Sequence, residues 1–136
     1  MPNTMPNTMP ITKPNITIDE SLKESVAQQH DDESQVIVHC YYPESAFESQ
    51  IRIWPSTFLI DLNGGTPSKL LLVDNISIMP QWTFLPPFKG HRFTLYFAGL
   101  PKSCSAFDLV EEIPEPGAFI VRGIPRNQTD VYHLHL

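Results

Sequence analysis

The feature that most constrains the fold is the alternation of residue types between His91 and Phe97. One side of an extended chain would carry the large apolar residues Phe93, Leu95 and Phe97. The other side would carry Arg92, Thr94 and Tyr96. Because side chains in a strand alternate between its two faces, this pattern predicts a β-strand with one buried and one wetted face.

A second alternating segment follows residues 99–103, which suit a turn. There Phe107 and Leu109 stand next to the acidic residues Asp108, Glu111 and Glu112. We expect the acids to form the wetted face of this strand. The two strands and their connection are predicted to lie at the centre of a β-sandwich or barrel.

The rest of the chain favours short strands joined by turns. Fourteen prolines in 136 residues punctuate apolar segments at 35–42, 51–61, 69–79, 118–124 and 130–136. Pro55 cannot donate to a strand ladder, so 51–61 is predicted to be bent or split into two strands. Residues 62–68 predict a hairpin between 58–61 and 69–73. The resulting seven or eight strands indicate an all-β, immunoglobulin-like Greek-key sandwich.

The domain organisation predicted from the sequence is a tail followed by one domain. Residues 1–14 repeat MPNT and are rich in proline, so they predict a disordered or extended tail. Residues 15–136 are predicted to form a single β-sandwich domain, because 41% hydrophobic residues can supply a core. Within it, 15–27 fits either an irregular strand or a short helix.

The net charge indicates which partners the protein can bind, and the N-terminal sequence indicates its compartment. A net charge of −6 argues against binding to nucleic acid or to anionic lipid. The sequence shows neither a signal-peptide pattern nor an apolar stretch of membrane-spanning length, so we expect a cytoplasmic protein without a membrane span. In that compartment Cys40 and Cys104 are expected to be buried thiols rather than a disulfide.

One known family shares this arrangement of apolar segments. The chain carries Ile51-Arg52-Ile53, then Phe58 to Asp61, a glycine turn and Lys69-Leu70. It continues with Phe93 to Pro101, FTLYFAGLP, and Phe107 to Glu111, FDLVE. Residues 35–124 thereby resemble the small immunoglobulin-like domain found in many Bacteroidetes proteins, often ahead of a thioredoxin-like or hydrolase domain. The resemblance implies a sandwich fold and no catalytic residues.

A candidate metal site comes from His133 and His135. On a strand, residues two apart leave by the same face, so both imidazoles could bind one divalent ion. The third ligand could come from His39, His91, Asp130 or Glu111, and the sequence does not choose among them. The alternative interpretation is two exposed histidines on a terminal strand whose core side is Tyr132, Leu134 and Leu136.

The apolar loop at residues 80–90 is the candidate interaction surface. It contains Trp82, Phe84 and Phe88 together with three prolines. Such a loop either closes one end of a sandwich or forms a surface for a ligand or partner. Both interpretations are open from the sequence.

The sequence contains no complete catalytic motif. Asp108, Glu111 and Glu112 would have to act as paired acids, yet they fit the wetted side of a strand. Ser103 and Ser105 lack a nucleophile elbow, and Gly64-Gly65 lacks the remainder of a phosphate loop. We therefore expect no enzyme and no cofactor. The predicted function is protein interaction or self-association; the alternative is small-molecule or metal binding through the 80–90 loop or the His133/His135 pair.

Overall fold

The computed structural model describes residues 35–136, and the predicted tail at 1–14 and the ambiguous segment at 15–27 lie outside them. The described residues form nine strands and no helix, which confirms the all-β prediction. The strands are β1 Val36–Tyr42, β2 Ser49–Ile51, β3 Thr57–Asp61, β4 Ser68–Asp74, β5 Thr83–Leu85, β6 His91–Phe97, β7 Ala106–Glu111, β8 Ile120–Pro125 and β9 Val131–His135. No helix in residues 35–136 could cross a bilayer.

Seven of the strands form one curled sheet in the order β8-β7-β3-β4-β6-β1-β9, and β2 pairs with β5 in a separate two-stranded sheet. All neighbours are antiparallel except β1 and β9, which run parallel. Strands β3 and β4 share only two paired positions. The rings of Phe107 on β7 and Tyr132 on β9 nevertheless meet at 5.0 Å, so the two ends of the sheet face each other. This arrangement is consistent with a β-sandwich, and the immunoglobulin-like Greek-key order stays a prediction.

Both faces of strand β6 are buried beyond Arg92, so the prediction of a wetted face holds for Arg92 and is wrong for Thr94 and Tyr96. Phe93, Leu95 and Phe97 lie in the core as expected, but Thr94 and Tyr96 are buried as well. The reason is that β6 lies between β4 and β1, whose side chains flank it on either face. Strands β6 and β7 are also not neighbours, because β7 pairs with β3 and β8.

The predicted hairpin between β3 and β4 is confirmed. Phe58 pairs with Lys69 and Leu59 with Ser68. The buried carboxylate of Asp61 accepts hydrogen bonds from the backbone N–H of Asn63 at 2.8 Å and of Gly65 at 3.2 Å. Gly64 has a φ of 88°, a conformation that favours glycine. An aspartate and a glycine thus form the turn that the sequence signalled.

The proline in 51–61 splits that segment into two strands, as one of the two predicted alternatives required. Strand β2 ends at Ile51 and β3 begins at Thr57, and the two belong to different sheets. Ile51 and Ile53 are both buried, so the short connection still contributes to the core. The connection through Pro55, which is exposed, therefore carries the chain from one sheet to the other.

The core is a single cluster of apolar side chains drawn from both halves of the curled sheet. Its fully buried members are Val36, Val38, Ile53, Leu59, Phe97, Leu100 and Phe107. Cys40 and Cys104 are buried and unpaired, which confirms the prediction of two thiols. Burial raises the pKa of Cys40 to about 12, so its sulfur stays protonated and packs as a small apolar group.

A largely buried ion pair of Arg126 and Asp130 lies in the β8–β9 loop, and its arginine also reaches the β6–β7 loop. The carboxylate of Asp130 accepts hydrogen bonds from Arg126 Nε at 2.6 Å and Nη2 at 2.9 Å. The same guanidinium donates to the carbonyl of Pro101 at 2.8 Å and to that of Cys104 at 3.1 Å. The Tyr132 hydroxyl completes the cluster by donating to Asp130 at 2.9 Å. Two loops are thereby tied together by one arginine.

We expect the protein to lose stability at high pH through its buried tyrosines. Burial raises the pKa of Tyr132 to about 12 and that of Tyr96 to about 12, against 10.0 in the unfolded chain. The folded state holds these protons more tightly, so their stabilising effect is complete below pH 10 and is lost as pH rises to about 12. The urea midpoint should fall over that window, and less steeply in Tyr132→Phe. A midpoint that stays constant up to pH 12 would contradict this.

Candidate functional site

All four histidines among the described residues lie on three neighbouring strands. His39 is on β1, His91 on β6, and His133 and His135 on β9. Three of them share the outer face of the sheet with residues from the adjacent strands. We call this group the histidine face; its members are His39, Tyr41, Arg92, Thr94, His133 and His135.

Strand register arranges the histidine face in two rows. In the first row, His39 pairs with Thr94 on one side and with His133 on the other. In the second row, Tyr41 pairs with Arg92 on one side and with His135 on the other. Because residues two apart on a strand share a face, the two rows lie on the same side of the sheet.

The first row brings two imidazoles into contact. The ring centroids of His39 and His133 are 5.0 Å apart and their planes differ by 27°. Nδ1 of His39 lies 2.8 Å from Thr94 Oγ1, which fixes the orientation of that ring. Burial, and then the neighbouring charge of His133, lowers the pKa of His39. His39 is therefore held neutral at neutral pH, and its Nε2 is left for another partner.

The second row is held by aromatic contacts. The guanidinium carbon of Arg92 lies 4.8 Å from the centre of the Tyr41 ring, within the range of a cation–π interaction. The ring of His135 meets Tyr41 edge-on at a centroid distance of 5.5 Å. Tyr41 thus separates a permanent cation from an imidazole. A cavity of about 650 Å³ lies over the histidine face and also touches Asp74 and Asn75.

The structure separates the four proposed third ligands. Asp130 is bonded to Arg126, and Glu111 accepts two backbone N–H groups. His91 donates from Nε2 to the carbonyl of Asn75 at 2.6 Å. Only His39 lies beside His133. Within residues 35–136, no group of three or more His, Cys, Asp or Glu side chains is placed to hold one metal ion.

The aromatic residues of the 80–90 loop are exposed, which opposes the interpretation of this loop as a plug. Trp82 is 49% exposed, Phe84 is 58% and Phe88 is 69%. Phe47, which the sequence did not single out, is 77% exposed. Leu85 alone turns inward from β5, where it is buried in the core. We call Phe47, Trp82, Phe84 and Phe88 the aromatic surface; each lies in or within three residues of the two-stranded sheet.

An arginine holds one member of the aromatic surface in place. The guanidinium carbon of Arg52 lies 3.8 Å from the centre of the Trp82 ring and 5.7 Å from that of Trp54. Arg52 also donates to the carbonyl of Pro80 at 3.2 Å and approaches Glu115 at 3.8 Å. Trp82 is therefore ordered by contacts on one face while the rest of its surface is open.

The two acids within β7 serve the fold, so the prediction of a wetted face is wrong for Asp108 and Glu111; Glu112, just after the strand, is exposed as predicted. Asp108 and Glu111 are both buried. Asp108 accepts from the backbone of Gly123 at 2.8 Å and from Arg122 at 3.2 Å. Glu111 accepts from the backbone of Trp54 and of Phe119, each at 3.0 Å. Their oxygens are occupied by the protein's own donors.

Comparisons of the chain with protein-family models, with curated proteins and with solved structures found no match. Any function assigned to the histidine face or to the aromatic surface therefore depends on the geometry described above.

Proposed function

We propose that this protein is a non-catalytic β-sandwich domain that self-associates through the aromatic surface. The observation that carries the proposal is the exposure of the four aromatic side chains around a single two-stranded sheet. Six large hydrophobic residues are exposed in residues 35–136, and four of them belong to this surface. Isolated exposed apolar residues are common, but a concentration of them marks a contact site.

The backbone of Phe88 adds a second reason. Its φ is 61°, in the left-handed region that bulky residues seldom adopt, and its N–H donates to the carbonyl of Ser45 at 2.7 Å. A strained backbone conformation that presents a phenyl ring to solvent supports a role for that ring in contact with a partner. Phe47, two residues after Ser45 in the chain, is also exposed.

A second copy of the chain is the partner that the sheet itself favours. Strands β2 and β5 have three residues each and, within residues 35–136, pair only with one another, so each has one edge without a partner in that part of the chain. A two-stranded sheet is marginal in water, and edge strands accept further strands through their outward N–H and C=O groups. Two copies joined about a two-fold axis would extend this sheet and cover the aromatic surface in both chains.

Two observations support the non-catalytic part of the proposal. The buried acids of β7 are used by backbone donors, and burial together with nearby Asp61 raises the pKa of Cys104, which weakens its thiol as a nucleophile. The resemblance to the small immunoglobulin-like domain of Bacteroidetes proteins also implies no catalytic residues.

Light scattering coupled to size exclusion over a concentration series tests the proposal. We expect the wild-type chain to approach twice its monomer mass as concentration rises. A double variant, Phe84→Ser with Phe88→Asn, should stay monomeric, because it removes two apolar side chains; asparagine also tolerates the φ of residue 88. Trp82→Ala should weaken association in the same direction.

The matched control is Leu62→Ser, which removes an equally exposed apolar side chain, 53% exposed, from the β3–β4 turn. This variant should associate as the wild type does. A wild-type chain that is monomeric at every concentration would contradict the proposal. So would a double variant that associates unchanged.

A further inference from the structure

We propose that His39 and His133 form a two-imidazole site for a divalent transition-metal ion. The parallel pairing of β1 and β9 places the two residues directly opposite each other, with ring centroids 5.0 Å apart. Paired positions on adjacent strands are about 4.8 Å apart, which allows one ion to reach a nitrogen from each ring. This site lies on the histidine face and does not depend on the aromatic surface.

Thr94 prepares His39 for this role. Its hydroxyl oxygen lies 2.8 Å from Nδ1 of His39 and is itself buried on β6. A hydrogen bond to one ring nitrogen orients a metal-binding imidazole and leaves the other nitrogen for the ion. Thr94 is thus a positioning residue that would support the ligand without touching the metal.

His133 supplies the second nitrogen from an exposed position. Its side chain makes no hydrogen bond to another described residue and faces solvent. The two rings now lie nearly parallel at 27°, so His133 must turn about its side-chain bonds to direct a nitrogen at the ion. Because that ring is otherwise exposed, the rotation gives up only its stacking contact with His39.

The donor set selects the class of ion. Imidazole suits copper, nickel and zinc, whereas calcium and magnesium require oxygen ligands. With two protein ligands and an overlying cavity of about 650 Å³, the remaining coordination positions would be open to water or to a small ligand. Binding should be strongest for Cu²⁺, in keeping with the usual order of divalent affinities.

The cross-strand pair is favoured over the pair His133 and His135 that the sequence suggested. Residues two apart on one strand are separated by about 6.6 Å, further than paired residues on neighbouring strands. The ring of His135 is also packed edge-on against Tyr41. The two chelates therefore predict different effects for substitutions at positions 39 and 135.

Titration calorimetry with Zn²⁺ and with Cu²⁺, using the full chain without a histidine tag, distinguishes these alternatives. We expect one ion per chain, and we expect binding to be lost in His39→Ala and in His133→Ala. His135→Ala and His91→Ala should bind as the wild type does. Thr94→Val should lower the affinity by about tenfold, because it removes only the group that orients His39.

A measurement on the wild-type chain tests the site even if a variant fails to fold. Nitrogen-detected histidine NMR during Zn²⁺ addition should shift the ring signals of His39 and His133 together, before those of His91. Loss of binding in His135→Ala with retention in His39→Ala would overturn the cross-strand site. Unchanged binding in His39→Ala/His133→Ala, or zinc-induced shifts that exclude His39, would do so too.

Discussion

Asp130→Ala is expected to lower the free energy of unfolding by about 3–5 kcal/mol, the range found when one member of a buried ion pair is removed. The substitution would leave the guanidinium of Arg126 buried without its carboxylate, and the Tyr132 hydroxyl without its acceptor. Residue 130 also has a φ of 56°, which aspartate tolerates better than alanine does. Urea denaturation at neutral pH measures the change.

A second variant separates the charge from the backbone conformation. Asp130→Asn keeps the shape of the side chain and tolerates the positive φ. If the ion pair accounts for the stability, this variant should still show most of the loss in free energy of unfolding expected for Asp130→Ala. The control is Arg122→Ala, which breaks the contact with Asp108 at 3.2 Å. Because the Arg122 side chain is 71% exposed, that change should cost less than about 1 kcal/mol. Equal losses in Asp130→Ala and Arg122→Ala would contradict the assignment.

Glu111→Ala is expected to cost about 3 kcal/mol, since hydrogen bonds to a charged group are each worth about 1.5–3 kcal/mol. The carboxylate connects the segment before β3, through Trp54, with the segment before β8, through Phe119. Alanine would leave both N–H groups without their acceptor. The cavity of about 270 Å³ that touches Glu111 would also enlarge, so water could partly replace the lost oxygens.

Glu112→Ala is the matched control for this prediction. Glu112 is the next residue and is exposed; its recorded bonds use its backbone, to Ser56. Its removal should change the free energy of unfolding by less than about 0.5 kcal/mol. The loss in free energy of unfolding in Glu111→Gln should lie between those of Glu111→Ala and Glu112→Ala. The amide retains one acceptor oxygen but places an NH2 group against a backbone N–H. A loss in Glu111→Ala no larger than in Glu112→Ala would show that the carboxylate is not structural.

The acids of β7 show where reasoning from the sequence fails. Asp108 and Glu111 stand in an alternating strand, and charged residues in that setting usually face water. Their burial depends on backbone N–H groups of Gly123, Trp54 and Phe119 that arrive from other parts of the chain. No local sequence pattern predicts these donors, so the two carboxylates were predicted to be exposed to solvent.

Some residues of the candidate sites could be identified from the sequence, and others only from the structure. Trp82, Phe84 and Phe88 were identifiable because a loop so rich in aromatic residues is unusual whatever its surroundings. Phe47 was missed because it stands alone in its segment and joins the others through the contact between Phe88 and Ser45. His133 and His135 were identifiable from their spacing, but no sequence pattern favours His39 over the other proposed ligands as their neighbour.

Local patterns in the sequence determined most of the strands and the turn at Asp61 to Gly65, because alternation, glycine and proline act over a few residues. Tertiary structure alone decided that β1 runs parallel to β9, that both faces of β6 are buried beyond Arg92, and that Arg126 reaches the carbonyls of Pro101 and Cys104. Strand pairing joins residues far apart in the chain, and its register depends on the packing of the whole sheet. The pairing of His39 with His133 is a product of that register.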